Sequence, residues 1–146
     1  MNHHTMNPTL RNVIAVIIGL VVGSGFNMGI IMVSGSIIPP PAGVDPAQID
    51  SLVNNMYLFK PKHFIMPFLA HAIGTLVGAF LAAKIAAKYH FNMAMIIGLF
   101  FLLGGISSAF MLPAPTWFIL VDVVFAYIPM AVLGARLAIK SNQQPE

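Results

Sequence analysis

Four long apolar runs alternate with short polar segments along this chain. They cover roughly residues 13–33, 64–85, 93–112 and 117–138. Each is close to the about 20 residues that a helix needs to cross the hydrocarbon core of a bilayer. A helix satisfies its own backbone hydrogen bonds there, which few other structures can do. The pattern predicts an all-α, polytopic membrane protein: one domain over 1–146, with four transmembrane helices in a left-handed, compact bundle. The first run follows Arg11, as the apolar part of a signal peptide would. It is too long for that, and no convincing small-x-small cleavage site follows it, so it reads as a membrane helix.

The only sizeable polar segment is the loop 34–63. It opens on IIPPPAG, a stiff extended stretch. The following VDPAQIDSLVNNMYLF reads as a short amphipathic helix on the membrane surface or over the bundle. Asp45 suits its N-cap, Pro46 its first helical position, and Gln48 the capping-box spacing. Ile49, Leu52, Val53 and Met56 recur at helical spacing.

Composition agrees with burial in lipid. Hydrophobic residues make up 58% of the chain and charged ones 8%, with a mean hydropathy of +0.88. A soluble domain carries about a quarter charged residues. No cysteine is present, which removes disulfides, thiolate metal sites and cysteine nucleophiles. The isoelectric point near 9.5 comes from only seven Lys and Arg, without a basic run, so nucleic acid is not an expected partner. Their placement bears on topology instead. Arg11, Lys84, Lys88, Arg136 and Lys140 fall on one side, and Lys60 and Lys62 on the other, offset by Asp45 and Asp50. The positive-inside rule then puts both termini and the 86–92 turn in the cytoplasm, and Trp117 at the outer interface. Lys84 and Arg136 read as snorkelling anchors near helix ends.

Small residues predict where the helices meet, because lipid removes the hydrophobic reason for apolar helices to associate. The first span has Gly19 and Gly23 on one face and Gly25 and Gly29 on another, which predicts two neighbours. The second carries Gly74, Thr75, Gly78 and Ala82 on the stripe that also holds His71. The third has Gly98, Gly105 and Ala109. A faint duplication adds to this. IIGL occurs at 17–20 and 96–99, and VGAFLAAKIA at 77–86 resembles LGARLAIK at 133–140, as a repeated helical hairpin would produce.

Within the apolar runs, polar groups share one level. His71, Asp122, Asn27, Ser107 and Ser108 all fall ~6–10 Å below the outer interface at 1.5 Å per residue. A charge in mid-membrane costs ~2.5–3.5 kcal/mol on insertion scales, so Asp122 needs a partner, and His71 is the best placed. The pair would hold one shared proton or form an ion pair. It is the candidate ligand or proton-relay site. Asn27 and the two serines read mainly as helix–helix contacts, worth about 0.6 kcal/mol each. Tyr127, about one and a half turns deeper, faces away from Asp122 and is not counted in the layer. Pro67 and Pro129 are candidate kinks.

Catalytic signatures are missing: no HExxH, GxSxG, Walker loop or GxGxxG occurs. No spacing suits a metal, and no cofactor is expected. His90 stands alone, and His3–His4 reads as a tail. The ten methionines read as apolar filler. The stretches FKPKHFIMPFLAHAIGTLVGA and LLGGISSAFMLPAPTWFILVDVVFAYIPMA resemble a group of small four-helix bacterial inner-membrane proteins that carry no assigned activity. The resemblance covers most of the chain and implies four helices and a bacterial inner membrane, and nothing about chemistry. The leading expectation is a structural or accessory subunit that associates with itself or with a larger membrane complex. The alternative is a small transporter or proton-linked permease-like unit that uses His71 and Asp122. An enzyme is not expected, since no nucleophile stands beside a base.

Overall fold

A computed structural model describes residues 6–143, which are mostly helical, with no strand among them. The helices are α1 (Pro8–Ile37), α2 (Ile49–Asn55), α3 (Ile65–Ile85), α4 (His90–Met111), α5 (Thr116–Phe125) and α6 (Ile128–Gln143). Two 3₁₀ turns, Met56–Leu58 and Pro61–Phe64, lead from α2 into α3. Four helical stretches, Pro8–Ile37, Pro61–Ile85, His90–Met111 and Thr116–Gln143, are long and apolar enough to cross a membrane, which suggests a multi-pass membrane protein.

Local chemistry sets the ends. α1 begins earlier than its apolar run because the Asn7 side chain accepts the Thr9 N–H at 2.8 Å and Pro8 takes the first position. It stops ahead of Pro39–Pro41. Pro67 does not kink α3. It lies in the first turn, where its missing N–H costs little, and α3 is continuous. Pro129 acts as expected of a kink. It has no N–H to offer the Phe125 carbonyl, and the fourth apolar run is interrupted at Ala126–Tyr127, giving two helices where the sequence pattern suggested one.

α3 is the helix on which α1, α4 and α6 all pack. Its seam with α1 is backbone against backbone. A Cβ added to Gly19 would lie 2.6 Å from the Gly78 carbonyl oxygen, and one on Gly23 2.7 Å from the Gly74 carbonyl oxygen. On the opposite side, Gly134 of α6 meets the backbone of α3 at Leu76 and Phe80. The expected second face of α1 is unpartnered within the chain. A Cβ on Gly25 or Gly29 would find no atom within 4 Å, and no residue of α1 beyond Gly23 is buried. The duplication is not reproduced in packing either. Gly19 faces Gly78, whereas its counterpart Gly98 faces Ala131, and Gly134 turns to α3.

One end of the molecule is tied by polar contacts. Arg11 Nε donates to the Ile85 carbonyl at 2.7 Å, and Asn12 Oδ1 accepts from the Ala87 and Lys88 amides. His90 contacts the Ala83 carbonyl, and Lys84 Nζ donates to Ser141 Oγ, so Lys84 links α3 to α6. These contacts hold Tyr89 in the left-handed region (φ 57°), a conformation that costs a non-glycine residue roughly 1–2 kcal/mol. The opposite end carries the 38–64 segment and an aromatic group, with Phe64 4.7 Å from Phe118 and 5.7 Å from Trp117 between ring centroids. α2 is shorter than expected and starts at Ile49. Asp45 does not cap it. Its carboxylate accepts from the Ala47 amide and the Gln48 side chain, closing a turn ahead of the helix. No residue of α2 is buried; Leu52 is half-covered, and Ile49 and Val53 are exposed.

These contacts predict unequal tolerance along α1 and α3. Gly78→Val should lower the stability of the purified protein by about 1–3 kcal/mol, as overpacking does. Gly25→Val should leave it unchanged. Thermal unfolding followed by circular dichroism in detergent distinguishes the two.

Candidate functional site

The site is assembled from three elements around one carboxylate. Asp122, the seventh residue of the ten-residue α5, projects toward α3 and is 5% exposed. His71 comes from the second turn of α3. Its Nδ1 lies 2.9 Å from Asp122 Oδ1 and 3.0 Å from Oδ2. Tyr127, 1% exposed, stands in the α5–α6 break and donates its hydroxyl proton to Asp122 Oδ2 at 2.6 Å. Its ring stacks on the imidazole, with centroids 5.7 Å apart and planes 29° from parallel, and its oxygen lies 3.0 Å from Nδ1.

The donor and acceptor inventory fixes the arrangement. With Asp122 ionised, both neighbours must donate to it, so the neutral imidazole carries its hydrogen on Nδ1 and leaves Nε2 as an acceptor. Nε2 has no protein partner among the described residues, and the His71 side chain keeps 22% of its surface exposed. The ring is therefore anchored on its carboxylate side and open on the other. Thr75, fully buried, donates to the His71 carbonyl at 2.8 Å one turn along the same helix. Gly105 of α4 makes room for the phenol: a Cβ there would collide with the Tyr127 hydroxyl and its ring carbons.

The expected pairing of His71 with Asp122 is present as geometry, and the rest of the expected layer divides. Asn27 faces α3, with its Cβ 2.9 Å from the Cβ position of Gly74, one turn from His71. Its Oδ1 is buried without a hydrogen-bond partner. Ser107 and Ser108 do not join. Both are exposed, and Ser107 donates to the Leu103 carbonyl of its own helix. The reason is rotational: at about 100° per residue, Ser107 stands on the reverse of α4 from Gly105. Ser108 follows Phe101, the last buried residue of that helix.

Tyr127 is the residue that helical spacing misplaces. Five residues after Asp122 it would face away on a continuous helix, but the break at Ala126–Tyr127 turns it back onto the carboxylate. Pro129 was the available signal. Among the described residues, no three His, Cys, Asp or Glu are grouped to hold a metal ion. His3 and His4 lie outside the described residues. Searches of protein-family models, of curated proteins and of solved structures found no match to this chain.

Removing the phenol hydroxyl leaves Asp122 short of a donor in a buried position. Tyr127→Phe should cost about 1–3 kcal/mol of stability. Gly105→Ala should destabilise in the same direction by displacing the ring. Denaturant unfolding of the two single variants and the double variant checks this, the double costing less than the sum because both act on one contact.

Proposed function

We propose that this chain is a multi-pass protein of a bacterial inner membrane, with both termini cytoplasmic, and that its His71–Asp122–Tyr127 cluster is the proton-binding site of a small proton-linked, permease-like unit. One observation carries the reading. A buried carboxylate and a half-buried imidazole from separate apolar helices are hydrogen-bonded to each other, and the outer nitrogen of the imidazole is free. Ionisable residues inside membrane spans are expensive to keep and mark functional sites by default.

The chemistry is simple. A proton taken up at Nε2 makes an imidazolium beside the Asp122 carboxylate. The pair then passes from one net negative charge to none. In an apolar layer a neutral pair is less costly than an isolated charge, so loading changes how strongly the site resists loss of water or rearrangement of α5 against α3. Tyr127 and Thr75 act as positioning residues. The first holds the carboxylate, and the second bonds to the backbone that carries the ring.

A second reading, a structural or accessory subunit, draws on a different observation. The Gly25–Gly29 face of α1 borders an open cavity of about 450 Å³ lined by Val22, Gly25, Phe26, Gly29 and Ile30. Small residues on a lipid-facing helix allow another helix to approach closely, from a second copy or a larger complex.

Proteoliposomes containing a trapped pH dye should show proton flux that His71→Ala abolishes while helical content is retained. Equal flux in wild type and variant, or none in either, would remove the permease reading. Cross-linking addresses the second reading, and the chain's lack of cysteine makes the background clean. Gly25→Cys should then form disulfide-linked dimers in native membranes if copies meet there, with Ala15→Cys, fully buried on the same helix, as the unreactive control.

A further inference from the structure

The end of the molecule opposite the Arg11–Asn12 contacts holds a second feature that the relay does not use. A cavity of about 420 Å³ lies between Pro39–Pro41 and the segment Leu58–His63. Its polar side chains are Lys60, Lys62 and His63. Both lysines are exposed, and neither forms an ion pair among the described residues. No acidic residue lines the cavity. Asp45, in the same loop, spends its carboxylate on the Ala47 amide and the Gln48 side chain.

His63 completes the set through its tautomer. The Lys60 amide donates to His63 Nδ1 at 2.8 Å, so Nδ1 is an acceptor and the ring hydrogen must sit on Nε2. The Phe59 ring meets the imidazole edge-on, with centroids 5.4 Å apart, which further fixes its plane. Every polar side chain of the cavity is therefore a donor. The facing wall is apolar, and prolines bring no N–H to it. Two ammonium groups and a fixed N–H beside an apolar wall match an anion with several acceptor oxygens attached to an apolar body.

We infer that this cavity binds a phosphate-bearing anion through Lys60, Lys62 and His63, with an anionic phospholipid headgroup as its natural source. The cavity lies at the start of α3, level with the Phe64–Trp117–Phe118 aromatic group, as residues at a headgroup boundary do. The lipid source rests on the membrane placement proposed above; the anion chemistry does not.

The test titrates the full chain in detergent with phosphatidylglycerol, with diacylglycerol, which lacks the phosphate, and with inorganic phosphate, read by native mass spectrometry. Phosphatidylglycerol should bind in preference to diacylglycerol, weaken as salt is raised, and weaken about tenfold or more in Lys60→Gln/Lys62→Gln. Lys60→Arg/Lys62→Arg should retain binding, and so should Lys88→Gln at the other end. Circular dichroism confirms that each variant is folded. Inorganic phosphate binding that the Gln variant loses, without any lipid preference, supports the same site with a soluble anion as its source. Equal binding of phosphatidylglycerol and of phosphate by wild type and the folded Gln variant overturns the inference. Loss of proton flux in His71→Ala bears on neither result, so the two proposals fail separately.

Discussion

Backbone meets backbone where α1 crosses α3, and most of the remaining structure follows from that contact. Gly19 and Gly23 lie against Gly78 and Gly74 so closely that even a methyl group would strike a carbonyl oxygen. Apolar helices in lipid gain nothing from hiding apolar surface, so contact of this kind must come from close fit. The same closeness brings Asn27 beside Gly74 and sets α1 along the stripe of α3 that carries His71. Because α3 also receives α4 and α6, it becomes the axis to which the other helices are referred.

Around that axis a carboxylate is held by two donors from different directions. Asp122 could not remain in such surroundings alone, since an unpaired buried charge is among the most expensive features a protein can carry. The imidazole of His71 and the phenol of Tyr127 both reach it, and the phenol depends on a small residue elsewhere, Gly105, which leaves space for it. The cluster therefore joins α3, α5 and the α5–α6 break, with α4 leaving room for it.

Much of this could be read from the chain without coordinates. The four apolar runs locate the long helices, because length and hydropathy suffice for that. His71 and Asp122 were legible as partners, because depth along a helix is a count of residues and both counts agree. What escaped depended on rotation and on interruption. Ser107 shares the depth of the pair but sits on the wrong side of α4, and Gly25 repeats the spacing of Gly19 without a neighbour to meet. Tyr127 was misplaced because its direction is set by a break, and wheel arithmetic holds only while a helix is continuous. Asp45 has the ideal identity and spacing for a cap, yet its own side-chain contacts closed a turn ahead of α2, something spacing alone does not reveal.

The glycine seam has a mechanical consequence. A one-turn slide of α1 along α3 would put Ala15 where Gly19 now meets the Gly78 carbonyl, or Asn27 where Gly23 meets that of Gly74, and either Cβ would strike the oxygen. The two glycines are therefore notches that admit a single register. Arg11 and Asn12, gripping the α3–α4 turn, latch the same register from the beginning of the helix. A helix notched in its middle and latched at one end has no lengthwise freedom, and Asn27 is kept one turn of α3 from His71.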